Sequence, residues 1–307
     1  MAVAPRPQFR WALRTRSLTL GQRTLLVGVV NVTPDSFSDG GRFLSAAKAI
    51  DHALGLLDEG ADIVDIGGES TRPGTRPSVS AQEELDRLLP AMEGILQKRP
   101  ETMLSIDSYK AETARAAVRA GAQIVNDVSG FLWDPAMAAT CAELRCGVIL
   151  THTRGRSHEW RTQPPLPREE VAPLVLRELK QRAEAAIAAG IEPAAIVLDP
   201  GFGFGKVLEE NYPLLARFDE LHALGHPLLA GVSRKAFLGR ALAQIYGHEV
   251  PTDQRGNATV AAVTAAALAG AHLVRVHDVK AAREAVAIAD AIRSDSPNKP
   301  DENKNNS

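Results

Sequence analysis

The sequence predicts an α/β protein: a single domain in which eight parallel strands, each followed by a helix, close into a (β/α)8 barrel. Short apolar runs alternate with Ala-, Leu-, Glu- and Arg-rich segments of helical spacing along nearly the whole chain, which is typical of a parallel sheet. The runs are apolar throughout, as in strands that helices cover on both faces. Eight such units within 307 residues suit a TIM barrel, and an open doubly wound sheet is the structural alternative.

The eight predicted strands are short and rich in Val, Ile and Leu. In chain order they span residues 25–31, 62–67, 103–107, 123–127, 147–152, 195–199, 227–233 and 272–277. Gly60, Gly121 and Gly190 stand where intervening helices should end, because glycine readily takes the left-handed backbone conformation that follows a last helical turn.

The barrel is expected to fill residues 25–293, with no linker inside it. Residues 1–24 form an N-terminal segment, in which a short strand at 17–20 could belong to a hairpin that caps the barrel bottom. Residues 294–307 are polar and lack aromatic side chains, so we expect this C-terminal tail to be disordered.

The composition excludes several classes of protein. Hydrophobic residues make up 45% of the chain and charged residues 23%, so a large core can form. The net charge of -2 gives no general footprint for nucleic acid, and no apolar run is long enough to span a membrane. The N-terminus lacks the apolar core of a secretion signal, and Cys141 and Cys146 fit no metal-site spacing. We therefore expect a soluble, cytoplasmic protein that binds neither nucleic acid nor membrane.

Polar side chains stand at the ends of all eight predicted strands. In a parallel barrel these ends meet at one face, where active sites lie. Each residue alone is typical of a turn or a helix cap, but a complete ring of them indicates a binding site. Its acceptors, amides and cations suit a flat heterocycle with N–H and C=O edges, joined to an anionic group. The ring consists of Asn31, Asp65, Asp107, Asn126, Asp127, His152, Asp199, Ser233, Arg275 and His277.

Two loops add features that bind anions or cover ligands. Residues 67–78 read GGESTRPGTRPS and carry Arg72 and Arg76, as in a lid that brings charge to an anion or in an ordinary surface loop. Residues 231–237 read GVSRKAF, and the helix that follows could accept a carboxylate at its N-terminus. The alternative is a capping serine beside solvated basic residues.

A third loop, residues 199–206, reads DPGFGFGK. It fails the pattern of a nucleotide phosphate loop, and its glycine spacing is wrong for a dinucleotide fingerprint. We interpret the glycines as positions where the backbone approaches a ligand, with Phe202 or Phe204 as an apolar wall.

Taken together, these motifs resemble those of the dihydropteroate synthases, from about Leu25 to about Ala289. Related pterin-binding methyltransferase domains share only part of the pattern. The resemblance implies a magnesium-assisted transferase that joins 4-aminobenzoate to (7,8-dihydropterin-6-yl)methyl diphosphate, giving 7,8-dihydropteroate and diphosphate. It also implies a homodimer and a target of sulfonamides. The motifs occur in the family's order: NVTPDSFSDGG, GGESTRPG, SIDSYK, ND followed by SG, DPGFGFGK, SRK and RVHDV.

The resemblance further implies a role for individual residues. Those of the pterin pocket are Asp107, Asn126, Thr151, Asp199, Lys235 and Arg275. Those that bind diphosphate are Asn31, Thr71, Arg72, Arg275 and His277, and Asn31 also helps to hold Mg²⁺. Those near 4-aminobenzoate are Ser70, Thr71, Pro73, Phe204, Ser233 and Lys235. The residues expected to act in catalysis are Asp107, Asp199, Lys235 and Arg275.

The chemistry of these groups favours a dissociative, SN1-like reaction. A carboxylate such as Asp199 can accept two N–H bonds from the pterin edge, and Lys235 can donate to it. Departure of diphosphate requires cations to absorb its charge. The attacking aniline nitrogen is neutral at pH 7 and needs no strong base, while Asp107 would lie near the pterin cation.

The chain departs from the family pattern in three places. Thr151-His152-Thr153 replaces the usual Met-His-Met, in which a methionine commonly forms one wall of the pterin slot. The loop between Gly74 and Val79 looks one residue longer, which could alter discrimination against sulfonamides. Ala236 stands where a serine is common. Three alternatives stay open at this point: a methyl-transfer domain, a non-catalytic barrel, and a dinucleotide-dependent oxidoreductase.

Overall fold

A computed structural model of the chain describes residues 5–32, 42–69 and 79–295, with the backbone alone at 42–45. The described chain begins with an antiparallel hairpin of β1 (Phe9–Ala12) and β2 (Ser17–Leu20). Eight parallel strands follow: β3 (Leu25–Asn31), β4 (Ile63–Gly67), β5 (Leu104–Asp107), β6 (Ile124–Asp127), β7 (Gly147–Thr151), β8 (Ile196–Asp199), β9 (Leu229–Ala230) and β10 (Leu273–Val276).

The strands follow one another around the sheet in chain order, and β10 pairs with β3. At the remaining seam the Leu198 N–H donates to the Pro227 carbonyl at 2.9 Å, and Leu198 bridges Leu228. The barrel is therefore nearly closed. The predicted (β/α)8 fold is confirmed, and the open doubly wound alternative is wrong because the last strand pairs with the first and the two ends of the sheet meet at Leu198 and Leu228.

One strand is much shorter than expected. Residues 227–233 were predicted to be extended, but only Leu229–Ala230 are regular. The chain turns out of the sheet soon afterwards, and Arg234 has a φ of 57°, in the left-handed region. This turn brings Lys235 to the mouth of the barrel, at the N-cap of the next helix.

Helices cover the outside of the barrel, and Gly60, Gly121 and Gly190 follow three of them with φ between 98° and 121°. The Ser80–Glu83 capping box fixes the start of α2. Among the described helices, none is long and apolar enough to cross a membrane. The helices are α1 (Arg42–Glu59), α2 (Ala81–Lys98), α3 (Ala111–Arg119), α4 (Met137–Leu144), α5 (Arg168–Ala188), α6 (Asn211–Ala216), α7 (Ala236–Tyr246), α8 (Gly256–Leu268) and α9 (Val279–Ser294).

The hairpin covers the end of the barrel at which the strands begin. Trp11 is fully buried there, and its indole N–H donates to the Ala195 carbonyl at 2.9 Å. Its neighbours in this apolar cluster include Leu25, Ile63 and Leu273, which lie at or near the starts of strands. With the bottom filled, the opposite mouth is the end at which a ligand can enter.

A buried histidine at the barrel bottom predicts a pH effect on stability. The Leu228 N–H donates to His272 Nδ1 at 3.0 Å, so Nε2 carries the proton and donates to the Pro7 carbonyl at 2.9 Å. Burial lowers the pKa of His272 to about 3. Below about pH 6.5 the imidazole of the unfolded chain takes up a second ring proton, and that of the folded chain does not. The histidine's contribution to stability is therefore lost as pH falls.

His272→Asn keeps an acceptor for Leu228 and cannot titrate. Between pH 7.5 and 5.0 the wild type should lose about 1–2 kcal/mol more unfolding free energy than this variant, as measured by urea titration. All other titrating groups are common to both proteins, so their effects cancel in the comparison. If the unfolding free energies of the two proteins changed equally with pH, His272 would have to take up its proton in the folded state as well.

Candidate active site

An arginine bridges two carboxylates at the centre of the barrel mouth. Arg275 comes from β10, and its Nε donates to Asp65 Oδ2 at 2.6 Å. Its Nη2 donates to Asp107 Oδ2 at 2.7 Å. Asn126 Nδ2 donates to the same Asp65 oxygen at 3.0 Å. Side chains from β4, β5, β6 and β10 thus form one hydrogen-bonded network.

Burial sets the electrostatics of this network. Asp65 is fully buried, and its Oδ1 has no hydrogen-bond partner among the described residues. Burial also raises the pKa of Asp107 to about 7, with Arg275 acting in the opposite direction and Asp65 adding to the rise. The nearby carboxylates raise the pKa of Arg275, which stays a cation. The Arg275 guanidinium is therefore held between two acids, and its side chain stays 20% exposed.

A third acid lies at the mouth, at the end of β8. Asp199 is buried, and its Oδ1 accepts the Gly201 N–H at 2.7 Å. Burial raises the pKa of Asp199, while Lys235, Lys206 and Arg275 oppose the rise. Burial lowers the pKa of Lys235 to about 8, and Asp199 acts against that change. This carboxylate and ammonium form an acceptor–donor pair of the kind that an amino-pyrimidine edge requires.

A buried lysine shapes the loop after β8. Lys206 Nζ donates to the carbonyls of Gly201 at 2.8 Å, Phe204 at 3.3 Å and His152 at 3.4 Å. Gly201 has a φ of 68°, and a Cβ there would lie 1.9 Å from the His152 oxygen. At Gly201 the close neighbour is the chain itself, so this glycine is required by the fold; that the loop's glycines let the backbone approach a ligand stays a prediction.

The same loop settles which phenylalanine faces the mouth. Phe202 is fully buried and stacks near Phe218 and Phe237 in the core. Phe204 is half-buried, and Lys235 Nζ lies 3.9 Å from its ring centroid. Phe204 is thus the apolar wall beside Lys235.

The SRK segment also differs from a simple cap. Ser233 Oγ is hydrogen bonded to His277 Nδ1 at 3.0 Å and accepts the His277 N–H at 3.3 Å. Lys235, not Ser233, occupies the N-cap position of α7. The serine therefore links the ends of β9 and β10, and the alternative of a capping serine with solvated basic neighbours is wrong.

Two further predicted residues end their strands at the same face. Asn31 is the last residue of β3, is half-buried and pairs with Gly67. Thr151 is the last residue of β7, is buried and pairs with Asp199. Five residues named from the sequence lie outside the described part of the chain: Ser70, Thr71, Arg72, Pro73 and Arg76. The extra loop residue proposed before Val79 lies outside it as well.

Two members of the predicted ring point away from the mouth. Asp127 accepts the Ser129 and Phe131 N–H groups of its own loop, at 2.7 and 3.1 Å. His152 Nε2 lies 3.1 Å from Glu178 Oε2 on α5. Successive side chains along a strand alternate between faces, so Asp127 and His152 lie opposite Asn126 and Thr151.

Sequence reasoning gave no role to Asp65 and Lys206. The strand-end pattern identifies Asp65 only as one polar residue of the ring, although a charged residue within the apolar run DIVDIG needs a buried partner. The sequence of the loop that holds Lys206 does not fit a phosphate-binding pattern, and the role of its lysine follows only from the three carbonyls around it.

Comparisons with known proteins agree with this geometry. A family model described as "Pterin binding enzyme" matches residues 27–277. The dihydropteroate synthase of Mycobacterium leprae (strain TN) is 46% identical over 269 residues, which cover 87% of this chain and 92% of that protein. The Bacillus subtilis (strain 168) synthase is 40% identical over 276 residues, covering 90% and 91%.

Solved structures give the same result. The Xanthomonas albilineans dihydropteroate synthase with 4-aminobenzoic acid has a TM-score of 0.83 and 42% identity, covering 94% of this chain and 99% of its own. The Yersinia pestis enzyme in a sulfonamide drug complex has a TM-score of 0.84 and 40% identity, covering 93% and 100%. The chain belongs to the dihydropteroate synthase family of pterin-binding enzymes.

Proposed function

We propose that this chain forms 7,8-dihydropteroate at the barrel mouth by transferring the (7,8-dihydropterin-6-yl)methyl group from diphosphate to the nitrogen of 4-aminobenzoate. The observation that carries the proposal is the pairing, at one mouth, of the Asp199–Lys235 acceptor and donor with the Arg275 cation. The first pair suits the pterin edge, and the cation suits the leaving group.

The pterin lies between the ends of β6, β7 and β8 in this proposal. Asp199 accepts two N–H bonds from the amino-pyrimidine, and Lys235 donates to its carbonyl or ring nitrogen. Asn126 adds a further polar contact, and Thr151 forms part of the wall. Arg275 flanks the ring from the opposite side, held there by Asp65 and Asp107.

The diphosphate binds at Asn31, Arg275 and His277, together with Thr71 and Arg72. We include Mg²⁺ because it takes oxygen ligands and commonly binds through substrate phosphates while keeping several waters. Among the described residues, no group of three His, Cys, Asp or Glu could hold a metal alone. The Asn31 amide oxygen fits an ion that arrives largely held by diphosphate. Bound there, Mg²⁺ would neutralise charge on the leaving group.

The reaction breaks the C–O bond to diphosphate before the new C–N bond forms. The electron-rich dihydropterin stabilises the cation, and the Asp107 carboxylate lies beside it. The aniline nitrogen then attacks the CH2 carbon, and the resulting anilinium gives one proton to water. Phe204, Ser233 and Lys235 hold the aminobenzoate, together with Ser70, Thr71 and Pro73.

The test is product formation by the purified chain. Incubation with both substrates and Mg²⁺ should yield dihydropteroate, identified by its mass, and a chelator should stop the reaction. A pterin-binding methyl-transfer domain would instead bind a reduced folate without Mg²⁺ or diphosphate. That behaviour, with no dihydropteroate formed, would contradict the proposal.

The charge state of Lys235 predicts an alkaline limit on activity. Its pKa of about 8 means that the ammonium is lost as pH rises through 8. The kcat/KM for the pterin substrate should fall along that limb. Lys235→Arg, which stays charged, should have a lower kcat/KM but no decline until well above pH 9. An unchanged alkaline limb in this variant would assign the titration to another group.

We also propose a homodimer formed through the last helices. α8 packs against α9 and α7, and the outer faces carry exposed apolar residues. Ile288 and Ile292 on α9 are 64% and 49% exposed, and Ile245 on α7 is 74% exposed. Ala261 and Ala265 on α8 are exposed and small enough to allow a close helix contact.

The cytoplasmic location expected from the sequence stays a prediction.

The double variant Ile288→Arg with Ile292→Arg should convert the dimer into a monomer, because each arginine would be buried without a partner. Sedimentation velocity measures this directly. The matched control is Ile187→Arg on α5, which should leave the dimer intact. A wild-type monomer, or a double variant that still dimerises, would exclude this surface as the interface.

A further inference from the structure

A row of aromatic rings runs along the rim of the mouth, with one ring from each of four successive loops. The ring centroids of Tyr109 and Trp133 lie 5.0 Å apart, and those of Trp133 and Trp160 lie 6.4 Å apart. Trp160 meets Phe204 edge-on at 4.8 Å, and Lys235 Nζ lies 3.9 Å from the Phe204 centroid. The row therefore ends at the wall beside Lys235.

Trp160 is the fixed member of this row. It is 5% exposed, and its indole N–H donates to Thr153 Oγ1 at 3.0 Å and to the Gly155 carbonyl at 3.2 Å. The Thr153 hydroxyl in turn donates to the Gly155 carbonyl at 3.1 Å. Because the hydroxyl both accepts and donates here, a methionine at position 153 could not replace it.

The fixed indole restricts Phe204. The Phe204 ring is half-buried and has the edge-on Trp160 ring and the Lys235 ammonium as close neighbours. An edge-to-face ring pair and a cation near a ring face each favour a particular orientation. If Trp160 were removed, Phe204 would keep the ammonium contact, lose its edge-on ring partner and be able to rotate into the slot beside Lys235.

We propose that Trp160, held by Thr153, is a positioning residue that orients Phe204 and thereby sets the affinity for 4-aminobenzoate. This inference rests on the proposed function, in which Phe204 contacts that substrate. It gives a physical role to Thr153, one of the residues at which this chain departs from the usual Met-His-Met. The alternative is that Trp160 only stabilises its own loop, with no effect on either substrate.

The two readings differ in which Michaelis constant changes. Trp160→Leu should raise the KM for 4-aminobenzoate about three- to tenfold and change the KM for the pterin diphosphate less than about twofold. Thr153→Val, which removes the hydroxyl at nearly constant volume, should raise the same KM about threefold. Thr153→Ser, which keeps the hydroxyl, should have a KM for 4-aminobenzoate near that of the wild type. Trp133→Leu is the matched control, because Trp133 contacts Trp160 and is not paired with Phe204, and both constants should stay near wild type.

The outcomes separate the inference from the proposed function. If the wild type forms no dihydropteroate, the proposed function fails and the inference fails with it. If the wild type is active, but Trp160→Leu raises the KM values for both substrates together or raises neither, only the inference fails. Should Trp160→Leu not fold, the Thr153→Val and Thr153→Ser pair decides, because a purely structural role predicts no selective change in the aminobenzoate KM.

Discussion

Arg275→Met should abolish activity and destabilise the fold, the largest combined effect expected from any single substitution in this chain. The guanidinium is hydrogen bonded to two acids, of which Asp65 is fully buried and Asp107 is largely so. Removing the cation leaves both carboxylates uncompensated, at a cost of about 3–5 kcal/mol in unfolding free energy. It also removes a cation from the leaving diphosphate, and we expect a loss of about 1000-fold or more in kcat/KM.

The loss of unfolding free energy in Arg275→Met should depend on pH in a definite direction. Without Arg275, the pKa of Asp107 should rise above its present value of about 7, so the folded chain binds a proton that the unfolded chain does not. The destabilisation should therefore be smaller at pH 5 than at pH 8. Urea titration of the variant at both pH values measures it. A larger destabilisation at pH 5 would show that Arg275 is not the counter-ion of these acids.

Two controls separate charge from geometry. Arg275→Lys keeps a cation but cannot donate in a planar fork to both acids, so it should recover part of the stability and little activity. Adding Asp65→Asn to Arg275→Met removes one uncompensated carboxylate, and should restore stability without restoring turnover. If that double variant regained activity, the role of Arg275 would be structural only.

Asp199→Asn should separate function from stability. The variant keeps an acceptor for the Gly201 N–H, but the amide cannot accept two N–H bonds from the pterin edge. We expect a loss of about 3–4 kcal/mol in transition-state binding, or about 100- to 1000-fold in kcat/KM for the pterin substrate. Because burial raises the pKa of Asp199, its charge is unfavourable in the fold, and the neutral amide should leave stability unchanged or higher.

Asp127→Asn is the matched control, because Asp127 is the same residue type at another strand end but points away from the mouth. Its carboxylate accepts the Ser129 N–H and hydroxyl, both at 2.7 Å, and the Phe131 N–H. The amide cannot accept all three, so this variant should lose about 1–2 kcal/mol of stability and keep its kcat/KM. Equal losses of activity in the two variants would argue against pterin recognition by Asp199.

The sequence predicts the barrel and most of the mouth because both depend on local patterns. Continuous apolar runs identify the buried strands, and polar residues at their ends identify the face at which they meet. The register of a strand decides which of two adjacent polar residues faces the mouth. In β6 this residue is Asn126, while Asp127 faces the other way. The early end of β9 depends on the left-handed turn at Arg234, which a run of apolar residues does not reveal.

The contacts between loops could not be predicted in this way. Trp160 lies in a loop without periodicity, and its partner Phe204 is 44 residues away along the chain, so no local pattern joins them. Lys206 is buried by carbonyls from two different loops. The Arg275–Asp65 pair spans 210 residues. Such pairings follow from the closed barrel, and they become visible only when the fold brings the strand ends together.

The most direct test measures diphosphate release from (7,8-dihydropterin-6-yl)methyl diphosphate with Mg²⁺, in the presence and absence of 4-aminobenzoate. We expect aminobenzoate to accelerate release strongly, with one dihydropteroate formed per diphosphate, and only slow release when water replaces the amine. Asp199→Asn should reduce both rates. Binding of the pterin substrate without aminobenzoate-dependent release would contradict the proposed synthase reaction at this barrel mouth.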